Sequence, residues 1–171
     1  MKSNWRNYDA FVDAAQALNW SEPELVIRVI DGDTLITADA TGVKRIRLAA
    51  IDAPELQIHG CPAEPYSSEA KSILEMLCLH EHIELALDPM LPPRDCYDRW
   101  LYWARVSTTG PYLNALMLLF GAARLRADFP TSAHTLLEPL QKRARDLQVG
   151  MWSRYRKPEP LVSRSGSMIS P

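Results

Sequence analysis

The sequence has few cysteines, and none of them stands in a CxxC pair. Cys61, Cys78 and Cys96 are widely spaced along the 171 residues. An odd number of separated cysteines allows at most one disulfide and favours reduced structural thiols. Cys78, His80 and His82 alternate, but they fall where a helix should give way to a strand. We therefore do not expect these side chains to converge on a zinc ion.

Long apolar stretches are also missing. No window approaches the roughly 18 apolar residues of a membrane-spanning helix. Residues 1–10 lack the apolar core of a signal peptide, so we expect either a cytoplasmic protein or a secreted protein whose leader is absent from this chain. With 47% hydrophobic and 23% charged residues, the composition is that of a globular protein with a single core.

The formal net charge of −2 conceals a basic segment. From Arg124 to Lys157 there are eight Lys or Arg residues against three Asp or Glu residues. This excess is typical of a solvated face, and it would also suit a flank that binds phosphate groups.

Hydrophobic periodicity predicts four helices and five strands. The predicted order is a helix over 8–18, strands over 25–30, 34–37 and 43–51, a helix over 66–80, strands over 82–87 and 100–107, and helices over 112–120 and 133–149. The Asp-Gly dipeptide at Asp31-Gly32 predicts a tight turn between the first two strands. Ser67 is a candidate N-cap for the helix over 66–80. Gly121 should end the helix over 112–120. Pro139 should kink the last helix or mark its first turn.

This order of elements predicts an α+β fold. Five short strands with a helix after the third predict a five-stranded oligonucleotide-binding-type β-barrel with three packed helices, plus an extra N-terminal helix. We divide the chain into an N-terminal helical extension (1–23), a barrel domain (24–156) and a tail (157–171) that is rich in Pro and Ser and expected to be disordered. The apolar stripe of the extension suits packing on the domain or on a partner equally well.

Carboxylates are concentrated at two turns of the predicted sheet. Asp31 and Asp33 flank the first turn, and Asp52 and Glu55 follow the third strand. A three-stranded meander can bring these strand ends together, and hard oxygen ligands suit Ca²⁺ or Mg²⁺ rather than zinc. Taken alone, each segment is also typical of an ordinary turn or loop.

Arg47 lies on the same strand face as Arg45, so it points either into solvent or into a polar cavity. Its planar, permanently charged fork matches phosphate oxygens bidentately. If it shares a cavity with Asp33, Asp52 and Glu55, the pocket would combine a cation site with a phosphate clamp. Phosphoryl transfer needs both, because charge builds on the oxygens while a water attacks in line.

Several ordered motifs give the chain a family resemblance. They are Ile30-Asp-Gly-Asp-Thr34, Arg47-Leu-Ala-Ala-Ile-Asp-Ala-Pro-Glu55, Tyr97-Asp-Arg99, Pro65-Tyr-Ser-Ser-Glu-Ala70, Leu113-Asn114 with Gly121, and Gly150-Met-Trp152. Together they resemble the staphylococcal nuclease (thermonuclease) family over roughly residues 24–155. The resemblance implies a metal-dependent hydrolase, a nuclease of DNA and RNA that typically leaves 3′-phosphates, built on an oligonucleotide-binding barrel.

The resemblance also implies a calcium cofactor. Asp33 and Asp52 would be Ca²⁺ ligands together with the backbone carbonyl of Ala53, while Asp31 would support the metal site from behind. These positions agree with the carboxylate cluster that the residues themselves suggest.

The remaining implied roles concern phosphate and water. Arg47 and Arg99 would clamp the scissile phosphate, and Glu55 would orient or deprotonate the attacking water. Tyr97 would contact a neighbouring phosphate. From the sequence alone, Arg99 could equally pair with Asp95 or Asp98.

The chain departs from the family pattern in three places. Asp98 replaces the usual glycine, which puts an extra carboxylate beside Arg99 that would weaken its phosphate contact. Ala53 replaces a common threonine, which is harmless if only the carbonyl binds metal. The nucleotide-stacking tyrosines after the second domain helix are not evident, and Ala127 and Phe129 fall there, so that Phe129 becomes the stacking candidate.

The leading hypothesis is a Ca²⁺-dependent endonuclease of low sequence specificity, acting on DNA and/or RNA, since its implied contacts are to phosphate rather than to bases. The alternative is a catalytically silent nucleic-acid- or protein-binding barrel. A third possibility is a nuclease that acts on a specialised substrate, or one that is restrained by an inhibitor or partner protein that binds the N-terminal helix.

Overall fold

The computed structural model describes residues 6–57, 60–106, 110–126 and 133–153. Within these ranges the elements follow in the order α1 (Arg6–Ala15), β1 (Glu24–Val29), β2 (Thr34–Asp39), β3 (Gly42–Leu48), β4 (Ile51–Asp52), α2 (Ser67–Cys78), β5 (His82–Leu87), β6 (Trp100–Val106), α3 (Leu113–Leu119), β7 (Arg124–Leu125), α4 (His134–Asp146) and a 3₁₀ turn (Gly150–Trp152). None of the helices in these ranges is long and apolar enough to cross a membrane.

Five strands close into a barrel in the order β1–β2–β3–β6–β5. Neighbouring strands are antiparallel except β3 and β6, which run parallel with Arg47 opposite Leu101. A short contact between β1 and β5, with Glu24 opposite Ile83, closes the barrel. The predicted α+β barrel with three packed helices and an N-terminal helix is therefore confirmed.

The third strand is shorter than predicted. It ends at Leu48, and Ala50 takes a left-handed φ of 64°, which a continuous strand does not accommodate. The chain then forms β4, in which Ile51 pairs with Leu125 and Asp52 pairs with Arg124 of β7. The break moves Asp52 out of the barrel sheet and into contact with the segment that follows α3.

The helices begin and end within three residues of their predicted bounds, but one cap differs. Tyr66, with φ 74°, occupies the N-cap of α2, and Ser67 is the first helical residue, so the predicted Ser67 cap is wrong. Gly121 follows α3 as predicted, with φ 62°, and a Cβ there would lie 2.3 Å from the carbonyl oxygen of Val149. Pro139 lies inside α4.

The described part of the N-terminal extension packs on the barrel. Phe11 is 1% exposed, and its ring meets that of Tyr112 edge to face with centroids 5.3 Å apart. The centroid of the Trp103 ring lies 5.7 Å from that of the Phe11 ring. The indole Nε1 of Trp20 donates to the carbonyl oxygen of Ala15 at 3.0 Å, which holds the end of α1 against the following loop.

Cys78 is buried on the inner side of α2, where its thiol donates to the carbonyl oxygen of Leu74 at 3.1 Å. Burial raises the pKa of this thiol to about 12, so it stays protonated. Cys61 and Cys96 are exposed free thiols. The predicted tail over 157–171 lies outside the described residues.

Candidate active site

The turn between β1 and β2 fixes Asp33 in the barrel wall. This residue is 1% exposed. Its Oδ1 accepts a hydrogen bond from the Thr34 hydroxyl at 3.0 Å, and its Oδ2 accepts one from the backbone N–H of Ala53 at 2.6 Å. Gly32 permits the close approach, because a Cβ there would lie 2.6 Å from the Cβ of Ala53. Asp33 is thus held by both chain segments that carry predicted metal ligands.

Arg47 lies between two carboxylates. Its Nη1 forms an ion pair with Asp33, and its Nη2 reaches Asp52 at 2.9 Å and donates to the carbonyl of Ile51 at 3.2 Å. The side chain is 5% exposed, so it is buried among polar groups and does not point into solvent. Burial lowers the pKa of Arg47 and the charge of Asp52 opposes that change, but the guanidinium remains charged.

The predicted metal ligands share one guanidinium. Asp33 and Asp52 both pair with Arg47, and Ala53 is joined to Asp33 through its N–H. Asp52 has a side chain that is 34% exposed, and its second oxygen faces Nε of Arg124 at 3.5 Å. Across the described ranges, no group of three or more His, Cys, Asp or Glu residues is arranged to hold a metal ion. The predicted ligand set has two carboxylates and one backbone carbonyl, and the structure brings its two carboxylates around one positive charge.

Asp31 and Glu55 have raised carboxyl pKa values. Burial raises the pKa of Asp31, although the charge of Arg47 opposes the shift, and Asp31 Oδ1 accepts the backbone N–H of Asp33 at 3.0 Å. Burial also raises the pKa of Glu55, and the negative charge of Asp31 adds to this effect. Arg47 and Arg99 both lower it. These mutual effects show that the acids and both arginines lie in one electrostatic environment.

Two residues that sequence reasoning missed hold the segment carrying Glu55. The backbone N–H of Glu55 donates to Glu64 Oε2 at 3.3 Å, and the N–H of Glu64 donates to the carbonyl of Glu55 at 2.8 Å. Arg124 donates to the same Glu64 oxygen at 3.1 Å while its Nε faces Asp52. The only sequence signal for this link was the start of the basic segment at Arg124, because β4–β7 pairing is not local.

Arg99 is held by Asp95. Its Nε and Nη2 lie 2.7 and 2.6 Å from Asp95 Oδ2, and Asp95 Oδ1 accepts the backbone N–H groups of Tyr97 and Arg99. Asp98 pairs instead with Arg94. Of the two candidate partners, Asp95 therefore pairs with Arg99, and the weakening of its phosphate contact by Asp98 stays a prediction. The φ of 60° at Asp98 explains why glycine is usual at this position.

Arg47 lies on β3, and Arg99 lies at the end of the turn that precedes β6. The parallel register of β3 and β6 sets Arg47 opposite Leu101, two positions after Arg99, and the charge of Arg99 acts on the pKa of Arg47. Tyr97 is 73% exposed, with its ring centroid 5.2 Å from the guanidinium carbon of Arg99. The predicted stacking residue Phe129 lies outside the described residues.

Comparison with known proteins identifies relatives over most of the chain. Residues 45–154 match the family model described as "Staphylococcal nuclease homologue". The chain is 32% identical to the thermonuclease of Staphylococcus intermedius over 134 residues, which cover 78% of this chain and 77% of that protein. It is 30% identical to the thermonuclease of Staphylococcus hyicus over 129 residues, with 75% and 74% covered. It is 27% identical to the micrococcal nuclease of Shigella flexneri over 149 residues, with 83% and 80% covered.

Proposed function

The chain belongs to the staphylococcal nuclease family, and we propose that it is a metal-dependent endonuclease that hydrolyses phosphodiester bonds of DNA and/or RNA. The names of its relatives, thermonuclease and micrococcal nuclease, support a hydrolase acting on nucleic acid. Because the candidate contacts are to phosphate rather than to bases, we expect low sequence specificity.

The observation that carries this proposal is the position of Arg47 between Asp33 and Asp52, with Glu55 and Arg99 in the same electrostatic environment. The side chains that we propose for phosphate, for a cation and for water therefore act on one another electrostatically. Ordinary stability does not require such a cluster, since burying ion pairs is costly or at best neutral.

The cofactor we propose is Ca²⁺. Asp33, Asp52 and the carbonyl of Ala53 would hold it, with Asp31 behind the site, and these hard oxygen donors fit that ion. The two carboxylates already surround one positive charge, the guanidinium of Arg47. When bound, Ca²⁺ would neutralise phosphate charge and make a water more acidic.

The arginines would stabilise the phosphate. A guanidinium has more N–H donors than the contacts of Arg47 use, so some of its donors are left for phosphate oxygens. Asp95 occupies the Nε and Nη2 positions of Arg99, which leaves Nη1 for the substrate. Removing a preorganised donor of this kind costs about 10²–10³-fold in rate. Tyr97, exposed beside Arg99, would contact the next phosphate.

Glu55 would handle the attacking water. It is exposed, so water can reach it, and its raised pKa makes the ionised carboxylate a better proton acceptor. Glu64 is hydrogen-bonded to both the backbone N–H and the backbone carbonyl of Glu55. General base assistance of this kind contributes about 10²–10⁴-fold.

The proposal is tested by digesting single-stranded DNA and RNA with Ca²⁺ and with a chelator, followed by analysis of product ends. We expect 3′-phosphates, no cleavage with the chelator, and large losses in Glu55→Gln and Arg47→Ala. Glu22→Gln, which removes an exposed carboxylate outside the site, is the matched control and should cleave normally. Cleavage that is indifferent to the chelator would contradict the mechanism, and tight oligonucleotide binding without turnover under any divalent metal would favour the silent barrel.

A further inference from the structure

The basic segment of the chain begins at Arg124, whose guanidinium contacts two carboxylates of the candidate site. Its Nε faces Oδ2 of Asp52 at 3.5 Å, and its Nη2 lies 3.1 Å from Oε2 of Glu64. The proposed reaction gives Arg124 no task. The first charge of the basic segment is nevertheless directed at acidic groups of the protein and is not simply part of a solvated face.

The backbone fixes Arg124 beside Asp52. The two residues are directly opposed partners in the antiparallel pairing of β4 with β7, so their side chains lie on the same face. The next residue, Leu125, donates its backbone N–H to Oε1 of Gln141 at 2.8 Å, and Gln141 is a buried residue of α4. The position of Arg124 is therefore set both by the strand that carries Asp52 and by α4.

Glu64 extends the contact from Arg124 to the proposed base. The Glu64 oxygen that pairs with Arg124 also accepts the backbone N–H of Glu55 at 3.3 Å. The backbone N–H of Glu64 donates in return to the carbonyl of Glu55 at 2.8 Å. A continuous series of contacts therefore runs from Asp52 through Arg124 and Glu64 to Glu55. It joins a proposed cation ligand to the residue proposed to handle water.

These contacts should affect geometry more than stability. The side chains of Asp52, Arg124 and Glu64 are 34%, 44% and 46% exposed, and ion pairs this open to solvent add little to the free energy of unfolding. Reaction rates are far more sensitive to position, since a displacement of about 1 Å can cost roughly 10²-fold. The planar guanidinium meets the two carboxylates with two different nitrogens, so it fixes direction as well as charge.

We propose that Arg124 is a positioning residue that acts together with Glu64 to set the separation of Asp52 and Glu55. It thereby sets the distance between the proposed cation and the attacking water. This inference rests on the proposed nuclease function and gives Arg124 no contact with the substrate. Without Arg124, Asp52 keeps its pair with Arg47, but Glu64 loses its pair with Arg124 and holds Glu55 less firmly.

Steady-state kinetics at saturating Ca²⁺ test the positioning role. Arg124→Gln and Glu64→Gln should each lower kcat about tenfold and leave KM within about twofold, because neither residue touches the substrate. The double variant should lose less than the product of the two single losses, since both changes break the same ion pair. The midpoint of urea denaturation should stay unchanged. Lys142→Gln breaks an exposed ion pair with Asp146 on α4 and is the matched control, which should cleave normally.

Amide hydrogen exchange provides a readout that does not need catalysis. The backbone N–H of Glu55 should exchange several-fold faster in Arg124→Gln and in Glu64→Gln, because its acceptor oxygen is no longer held by the ion pair. The N–H of Leu48, which donates to the carbonyl of Asp33 at 2.8 Å, should keep its rate of exchange in both variants.

Several results would overturn the positioning role. They are an unchanged kcat in both single variants, a rise in KM that accounts for the lost activity, a urea midpoint that falls together with activity, single losses that multiply in full, and unchanged exchange at Glu55. If Arg124→Gln does not fold, Glu64→Gln decides by the same measurements. Absence of cleavage by the wild-type chain would instead overturn the nuclease function, and hydrogen exchange would still show whether Arg124 holds Glu55.

Discussion

Arg47 and Arg99 are both held by carboxylates, but their surroundings differ. Arg47 stands on a barrel strand, has a side chain 5% exposed, and joins Asp33 and Asp52, which belong to different segments. Arg99 stands at the end of a turn, has a side chain 15% exposed, and contacts Asp95 of the same turn. The first network ties together distant parts of the chain, and the second closes one local loop.

Because the two arginines have different surroundings, removing each of them should affect the protein differently. The carboxylate of Asp33 also accepts hydrogen bonds from Thr34 and Ala53, so removing Arg47 leaves a buried charge at a junction of three segments. Removing Arg99 leaves Asp95 bonded to the backbone of its own turn. Arg47 should therefore contribute to folding stability as well as to phosphate binding, whereas Arg99 should contribute mainly to phosphate binding.

The largest effect is expected from Arg47→Ala. It should abolish nuclease activity and lower the free energy of unfolding by roughly 3 kcal/mol, because Asp33 is left buried without its ion-pair partner. Urea denaturation and a nuclease assay measure the two effects. Arg47→Lys keeps the charge but not the planar fork, so it should recover more stability than activity. If Arg47→Ala is as stable as the wild type, the ion pairs of Arg47 with Asp33 and Asp52 do not stabilise the fold.

Arg99→Ala should lower activity about 10²–10³-fold, as expected for loss of a preorganised charge donor. Its free energy of unfolding should fall by less than about 1 kcal/mol, since the pair with Asp95 is local and partly open to solvent. Urea denaturation and a nuclease assay measure these two effects as well. If Arg99→Ala unfolds as readily as Arg47→Ala, the contrast between the two arginines does not hold.

Calcium should distinguish the two networks. At a concentration about 100 times its dissociation constant, a ligand specific for the folded state adds about 2.7 kcal/mol. Thermal denaturation with and without Ca²⁺ should show this gain in the wild-type chain and in Arg99→Ala, and should not show it in Asp33→Asn. A gain that survives in Asp33→Asn would place the ion elsewhere.

The smallest expected effect concerns the pH dependence of the Asp95 turn. Burial raises the pKa of Asp95, but hydrogen bonds from Arg99 and from the backbone outweigh burial and leave it below its ordinary value. A depressed carboxyl pKa contributes stability above the unfolded value of about 4, and that contribution is lost as the pH falls below it. The difference in melting temperature between wild type and Arg99→Ala should therefore shrink as the pH is lowered from neutrality to below 4. A difference that stays constant over this range would show that the Asp95–Arg99 pair does not stabilise the turn.

Local patterns predicted most of the barrel. The alternation over His82–Leu87 gave β5 residue for residue, and the Asp-Gly turn gave the boundary between β1 and β2 closely. The end of β3 was missed, because Ala49 and Ala50 continue the apolar pattern of the strand. Their side chains do not predict the left-handed φ of Ala50. That conformation depends on the pairing of β4 with β7, which residues far along the chain supply.

The candidate site was predictable where its residues share one stretch of sequence. The motifs around Asp33 and Arg47 drew attention to both residues, and the structure places them in contact, although their catalytic roles remain predictions. The partner of Arg99 was not predictable, because Asp95 and Asp98 are both within reach and the φ of Asp98 turns its carboxylate toward Arg94. Glu64 and Arg124 were missed because their contacts form only after the whole chain has folded.

The parallel pairing of β3 with β6 also sets the order in which the proposed phosphate clamp of Arg47 and Arg99 can form. A nascent chain that ends at Glu55 contains the acids, Arg47 and the candidate base, but it has no Arg99. In that chain β3 can pair with β2, but its second neighbour is missing until Trp100–Val106 has followed. Such a non-local pairing forms slowly compared with the local hairpins. Fragments and partly folded chains therefore lack half of the proposed clamp. The capacity to cut nucleic acid arises with completion of the barrel, so nucleic acid near a growing chain meets the enzyme only in its finished form.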